Sequence, residues 1–175
     1  NDENNNFVKI FDSDGKYIRK FPSTSNTNND SDIKISLSGN IYIADNSTVK
    51  VFDNTGNLSN QWTPIINGVN LNAKHIAIDS KDNVYLSCNT KMPSKGIIIK
   101  YDKNGSYIKD WVINNTYSNA HGIAIDKNDN VYVIASQSGN ITITNIFIFD
   151  SNGTLIRQLT NDSFTNNSIF KIALD

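Results

Sequence analysis

Four stretches of this 175-residue chain are variants of one another, and an internal repeat limits the available folds more than any other sequence property. They read FDSDGKYIRKF (11–21), FDNTGNLSNQW (52–62), YDKNGSYIKDW (101–111) and FDSNGTLIRQL (149–159). Asp recurs at 12, 53, 102 and 150, and Gly follows three residues later at 15, 56, 105 and 153. Nine residues after each Asp stands a large apolar residue: Phe21, Trp62, Trp111 and Leu159. Asp supplies a side-chain acceptor for turn N–H groups, and Gly takes the left-handed backbone that starts the next strand. With alternating flanks, each unit is a β-hairpin.

A second unit precedes the first: IKISLSGNIYI (33–43), IAIDSKDNVYL (76–86) and IAIDKNDNVYV (123–133). It too reads strand, polar turn, strand, with Asn40, Asn83 and Asn130 closing the turns. A further copy begins as KIALD at 171–175. The two units together make a four-stranded meander that cannot bury both its faces alone, so successive sheets must stack. Radial stacking, with the small apolar Ile-Ala-Ile strands innermost, makes a β-propeller.

The pattern GIAID…DNVYV…FIFDSNGTLIRQL resembles the NHL repeat, and the resemblance covers almost the whole chain. Segment 33–62 departs from it, with Ser36 in place of the turn Asp and Lys34 in place of the usual Ala. The expected fold is all-β: four-stranded antiparallel blades over 33–62, 76–112 and 123–160, with a further blade built from 7–21 and 169–175. That makes about four blades, one split between the termini or completed by a neighbour. The resemblance implies six blades more often than four. A small ring, a segment of a larger propeller and a subunit completed by another chain all fit the strand pattern.

Composition narrows the function. Apolar residues make up 38% and charged residues 19%, with a net charge of −1, so there is no field to attract nucleic acid or an acidic membrane. No apolar run approaches a membrane span. The opening NDENNN is polar and does not read as a signal peptide, so the leader of a secreted form is expected to have been removed or to lie outside this sequence. Cys88 is the only cysteine, which excludes an internal disulfide, and it reads as a small buried apolar residue.

No catalytic set emerges from the residues, and no cofactor is expected. The resemblance implies that lyases of this type hold a metal with histidines at the central channel. His75 and His121 are the weak candidates, but they are offset by one residue in the repeat, with Lys74 and Gly122 as their mates, and no third histidine exists. DSDGK (12–16) and DKNDN (126–130) lack the spaced acidic set of a calcium loop and recur as turns.

Phe21, Trp62 and Trp111 are candidate interaction residues: they either pack between blades or form an aromatic ridge for a sugar or a neighbouring subunit. Among the Asn-x-Ser/Thr sequons, Asn46, Asn114 and Asn161 are the better glycosylation candidates. Insertions at 89–96 and 136–145 fall between second and third strands and should project on one face. The expected protein is an extracellular or cell-surface propeller without enzymatic activity. It would bind protein or glycan, or self-associate by strand addition, a filament being one form. An NHL-like lyase or hydrolase with a site at the channel mouth is the alternative, and a sensor domain of a larger protein the third.

Overall fold

The computed structural model describes residues 7–22, 32–45, 47–90, 93–137, 143–160 and 171–174. They form sixteen strands and, among the described residues, no helix. Strands β1 (Phe7–Phe11) and β2 (Tyr17–Pro22) make a two-stranded hairpin. The first full sheet runs β3 (Asp32–Ile35), β4 (Ile41–Asp45), β5 (Thr48–Phe52) and β6 (Leu58–Trp62). A small hairpin of β7 (Ile65–Ile66) and β8 (Val69–Asn70) follows. The second sheet comprises β9 (Asn72–Ile78), β10 (Val84–Asn89), β11 (Gly96–Tyr101) and β12 (Tyr107–Val112). The third comprises β13 (Asn119–Ile125), β14 (Val131–Gln137), β15 (Ile143–Phe149) and β16 (Leu155–Leu159).

Each full sheet is an antiparallel meander in which every strand pairs with its neighbour in the sequence. The first strands of the sheets, β3, β9 and β13, pack successively on one another and line the hub, while β6, β12 and β16 lie outermost. The Ile-Ala-Ile segments are therefore central, as their small apolar character requires. Among the described residues β1–β2 is two-stranded and 171–174 carry no strand; residues 169, 170 and 175 of the expected further blade lie outside them.

The Asp side chains fix the turns. Asp53 Oδ1 accepts from the N–H groups of Thr55 (2.8 Å) and Asn57 (2.9 Å), and Asp102 and Asp150 repeat the pattern. Asp79 and Asp126 do the same in the inner turns. Ser36 makes its turn without a carboxylate: Gly39 N–H donates to Ser36 O at 2.9 Å, and the Ser36 and Ser38 hydroxyls bond at 2.8 Å.

The inner strands of the second and third sheets begin earlier than their Ile-Ala-Ile cores. Irregular registers at Ser87/Cys88 and at Ala120/Ile123 let β9 and β13 extend back through both histidines. The hairpin β7–β8 has no counterpart among the described residues of the other repeats. Its turn is Asn67–Gly68, with φ of +50° and +76°, the mirror-image turn that Asn-Gly favours.

Two apolar layers fill the space between the full sheets. Tyr42, Ala44, Val49 and Val51 of the first sheet meet Ile76, Leu86, Cys88 and Ile99 of the second. Ala77, Tyr85 and Ile98 on its other face meet Ile123, Val131, Val133 and Phe147. A smaller layer joins Phe21, Val8 and Ile10 of the hairpin to Ile41, Ile43 and Phe52.

Candidate interaction surface

Three places combine the repeat's special residues: the seams between sheets, the hub and the outer rim. At the seams, the recurring aromatic of each outer strand lies on the turn glycine of the next sheet. A Cβ at Gly56 would stand 2.7 Å from Phe21 Cδ1; at Gly105, 2.6 Å from Trp62 Cε3; at Gly153, 2.7 Å from Trp111 Cδ2. Neighbouring rings fill the rest: Phe21–Phe52 at 4.9 Å, Trp62–Tyr101 at 5.6 Å and Trp111–Phe149 at 6.0 Å. Phe21 is buried, Trp62 and Trp111 half-buried. These three candidate residues are thus packed between sheets. Each ring rests one face on a backbone turn.

Carboxylates stitch the same seams nearer the hub. Asp129 Oδ1 and Oδ2 accept from Ser80 N–H (2.9 Å) and Ser80 Oγ–H (2.7 Å) of the preceding sheet. Asp82 Oδ1 accepts from Leu37 N–H at 3.2 Å. Asp82 and Asp129 both take φ of +62°, and Gly39 occupies their repeat position in the first sheet.

At the hub, Asp32 Oδ2 accepts from Ile76 N–H at 3.1 Å and lies 3.7 Å from His75 Nδ1. Burial opposes the charge of Asp32, but the His75 and Ile76 bonds and nearby Lys34 outweigh it and hold its pKa below the ordinary value. His121 Nε2 pairs with Ser136 Oγ at 2.8 Å, and His121 O accepts from Ser87 Oγ–H at 2.7 Å. The histidines are thus engaged in separate structural contacts. Among the described residues no group of three metal-ligating side chains converges. Cys88 is buried, and desolvation pushes its thiol well above the usual range.

A polar cavity of about 360 Å³ opens between the first two full sheets, lined by Ser38, Asn40, Ser59, Asp82, Lys103 and Asn104 among others. Asn114, one of the glycosylation candidates, is half-buried; its Oδ1 accepts from Thr116 N–H (2.9 Å) and Thr116 Oγ–H (2.8 Å). Asn46 and Asn161 lie outside the described residues. Of the two insertions, Lys95 Nζ of the first donates to Asn115 Oδ1 of the connection to the next sheet at 3.0 Å, and residues 91, 92 and 138–142 lie outside the described residues.

The rim carries what sequence reasoning missed. Just after each turn glycine, the outermost strand exposes apolar side chains: Tyr17 and Ile18 in β2, Leu58 in β6, Tyr107 and Ile108 in β12, Leu155 and Ile156 in β16. Each is at least 45% exposed. The signal was in the repeat, since two consecutive apolar residues cannot both face one core. Among the described residues all four strands are also sheet edges, with one row of backbone groups unpaired by strand. Three of them carry charges (Arg19 and Lys20; Lys109 and Asp110; Arg157), whereas β6, Leu-Ser-Asn-Gln-Trp, carries none.

No protein-family model matches the chain, and no curated protein matches it. Solved structures do. The chain is similar to hydrazine synthase of Kuenenia stuttgartiensis (TM-score 0.68, 16% identity, 93% of this chain and 50% of that chain). It is similar to the Pan2 WD40 domain of Neurospora crassa (TM-score 0.62, 14% identity, 89% of this chain and 47% of that one). It is also similar to the Dos1 propeller (TM-score 0.58, 16% identity, 89% and 42%). The chain thus spans about half the length of the solved structures it matches. At these identities the likeness carries the fold: an all-β propeller of four-stranded antiparallel blades.

Proposed function

We propose that this propeller is a non-enzymatic protein-binding module that self-associates and takes an extended peptide segment along its outer rim. The observation that carries the reading is the exposed apolar side chains on the outermost, edge-forming strands, a pair in β2, β12 and β16 and Leu58 alone in β6. A partner strand laid beside such an edge gains main-chain hydrogen bonds and covers the apolar side chains in one step. Strand β6 is the preferred edge, because charge is the common device that protects an edge from pairing and β6 has none. Protein is favoured over glycan as the partner because one face of each of Trp62 and Trp111 is already occupied by Gly105 and Gly153.

An extracellular setting is part of the proposal. It is supported by the sparse charge of the chain and by the Asn114 sequon, which lies in the connection between two blades.

The test is selection of a displayed peptide library against the purified chain. Extended apolar peptides are expected to be enriched, and to lose binding to a Leu58→Ser, Gln61→Lys variant while that variant keeps its stability. Failure to enrich any peptide, or binding indifferent to those two substitutions, overturns the rim reading.

A further inference from the structure

We infer that the polar cavity beside β6 seats an alkylammonium group, and that the peptide taken along this edge presents a lysine to it. The inference rests on the rim reading and specifies the partner that the rim selects. It comes from setting two seams side by side: the earlier, between the first and second full sheets, and the later, between the second and third. The repeat matches their residues one to one.

Two lysines cross the later seam. Lys100 Nζ donates to Ser151 O at 3.2 Å, lies 3.6 Å from Asp79 Oδ2 and stands 4.8 Å from the centre of the Tyr85 ring. Lys109 Nζ donates to Asn152 O. In the earlier seam Val51 holds the repeat position of Lys100, and Asn60 that of Lys109. Neither supplies an ammonium. Asn60 Nδ2 donates to Asn104 O at 2.7 Å, and Lys103 O, the counterpart of Ser151 O, accepts from Tyr42 Oη–H at 3.3 Å. Val51, Asn60, Lys103 and Asn104 all line the cavity of about 360 Å³. The cavity thus occupies the place that the later seam gives to its lysines.

A counter-charge stands ready. In the later seam Asp129 uses both oxygens, one on Ser80 N–H and one on the Ser80 hydroxyl. Its counterpart Asp82 is half-buried and lines the cavity, but it faces Leu37, which holds the repeat position of Ser80. Leu37 offers Oδ1 its N–H at 3.2 Å and has no hydroxyl for Oδ2. The site therefore presents one carboxylate oxygen and two carbonyl oxygens, each carbonyl with a second lone pair. Three separate acceptors suit the three donors of an ammonium better than the planar fork of a guanidinium. Lys103 is exposed, so water screens its own charge.

The position of the cavity names the source of the ammonium. Ser59 and Asn60 belong to β6 and line it, so it adjoins the uncharged edge. An extended segment laid beside β6 sends alternate side chains to the same face of the sheet. A lysine among them has an apolar stem long enough to lie along the strand while its head reaches the acceptors. Main-chain pairing then supplies affinity, and the cavity supplies selection of one residue type.

The probe is a dye-labelled, amidated peptide of alternating Val and Thr with Lys, Arg or norleucine at its centre, its binding read by fluorescence anisotropy. The lysine peptide is expected to bind about tenfold more tightly than the norleucine peptide, the scale of one charge-assisted hydrogen bond. Asp82→Asn keeps an acceptor for Leu37 N–H, and Asn tolerates the φ of +62°. That variant should keep its strand circular dichroism and bring the lysine peptide down to the norleucine value. Equal binding of the lysine and norleucine peptides overturns the inference and leaves the rim reading standing. Arginine binding as tightly as lysine also overturns it, because attraction of charge then needs no seat. Failure of every peptide to bind sinks the rim reading and the lysine with it, and n-butylammonium added to the isotopically labelled chain then decides the cavity alone. Amide shifts at Asp82 and Asn104 that vanish in Asp82→Asn support the seat with a free amine as its occupant; their absence in the original chain overturns the seat as well.

Discussion

Trp62 of one sheet and Gly105 of the next form a joint with no room for a methyl group, since a Cβ at Gly105 would lie 2.6 Å from Trp62 Cε3. The glycine is doubly constrained, because its φ of +81° also disfavours any side chain. Phe21–Gly56 and Trp111–Gly153 repeat the arrangement.

Gly105→Ala is therefore expected to destabilise the fold by about 2–4 kcal/mol, combining left-handed backbone strain with overpacking of the indole. Gly39→Ala is the control: its φ of +84° is similar, but its nearest neighbour is Asn54 Cβ at 3.9 Å. It should cost only about 1–2 kcal/mol. Urea unfolding of the two variants separates backbone strain from packing, and equal costs would refute the joint.

Asp129→Gly keeps the left-handed backbone and removes both bonds to Ser80. The expected loss is about 1.5–3 kcal/mol, the range for hydrogen bonds to a charged group. A double-mutant cycle with Ser80→Ala should recover part of it as coupling, because the hydroxyl bond is shared.

Acid should weaken the fold in a defined window. Thr55 and Asn57 bonds hold Asp53 down to about 2, and Asp79, Asp126 and Asp150 are also lowered. At Asp79 burial opposes the charge, but bonds from Asn83, Lys81 and Tyr85 prevail. The unfolded state, with carboxylates near about 3.9, then binds more protons than the native state. The stabilisation is fully present above the unfolded value and is lost as pH falls through the native values. Urea midpoints should be flat from pH 7 to pH 5 and fall from about pH 4 towards pH 2. A decline beginning above pH 5 would contradict the carboxylate account.

Cys88 should resist thiol reagents in the folded protein, being 1% exposed and with its thiolate disfavoured by burial. Labelling is expected to follow the unfolding curve in urea. Rapid stoichiometric labelling without denaturant would place Cys88 outside the core.

Much of the fold could be read in the sequence because the repeat carries its own chemistry. The Asp…Gly spacing required a turn with a side-chain acceptor, and the structure places those bonds at Asp12, Asp53, Asp102 and Asp150. The aromatic recurrence at 21, 62 and 111 was visible too, but its seat was not. Phe21 meets Gly56, a contact between repeats, and a period along the chain does not say which neighbour a side chain reaches across to. The hairpin at 65–70 was legible in Asn67–Gly68, but it lies outside the repeat that dominates the chain. Exposure of Ile33 was beyond sequence reasoning in principle, since its residue type matches its buried mates Ile76 and Ile123. Only the neighbouring sheet distinguishes them.

The pairing of a forward-reaching ring, Trp111, with a backward-reaching carboxylate, Asp82, gives the second sheet two dissimilar flanks, like a brick with tongue and groove. A gene that duplicated residues 72–112 would therefore insert a sheet whose Trp111 and Asp82 fit the copies already in place. Ring size in such an architecture can change by whole courses, without any new interface having to evolve.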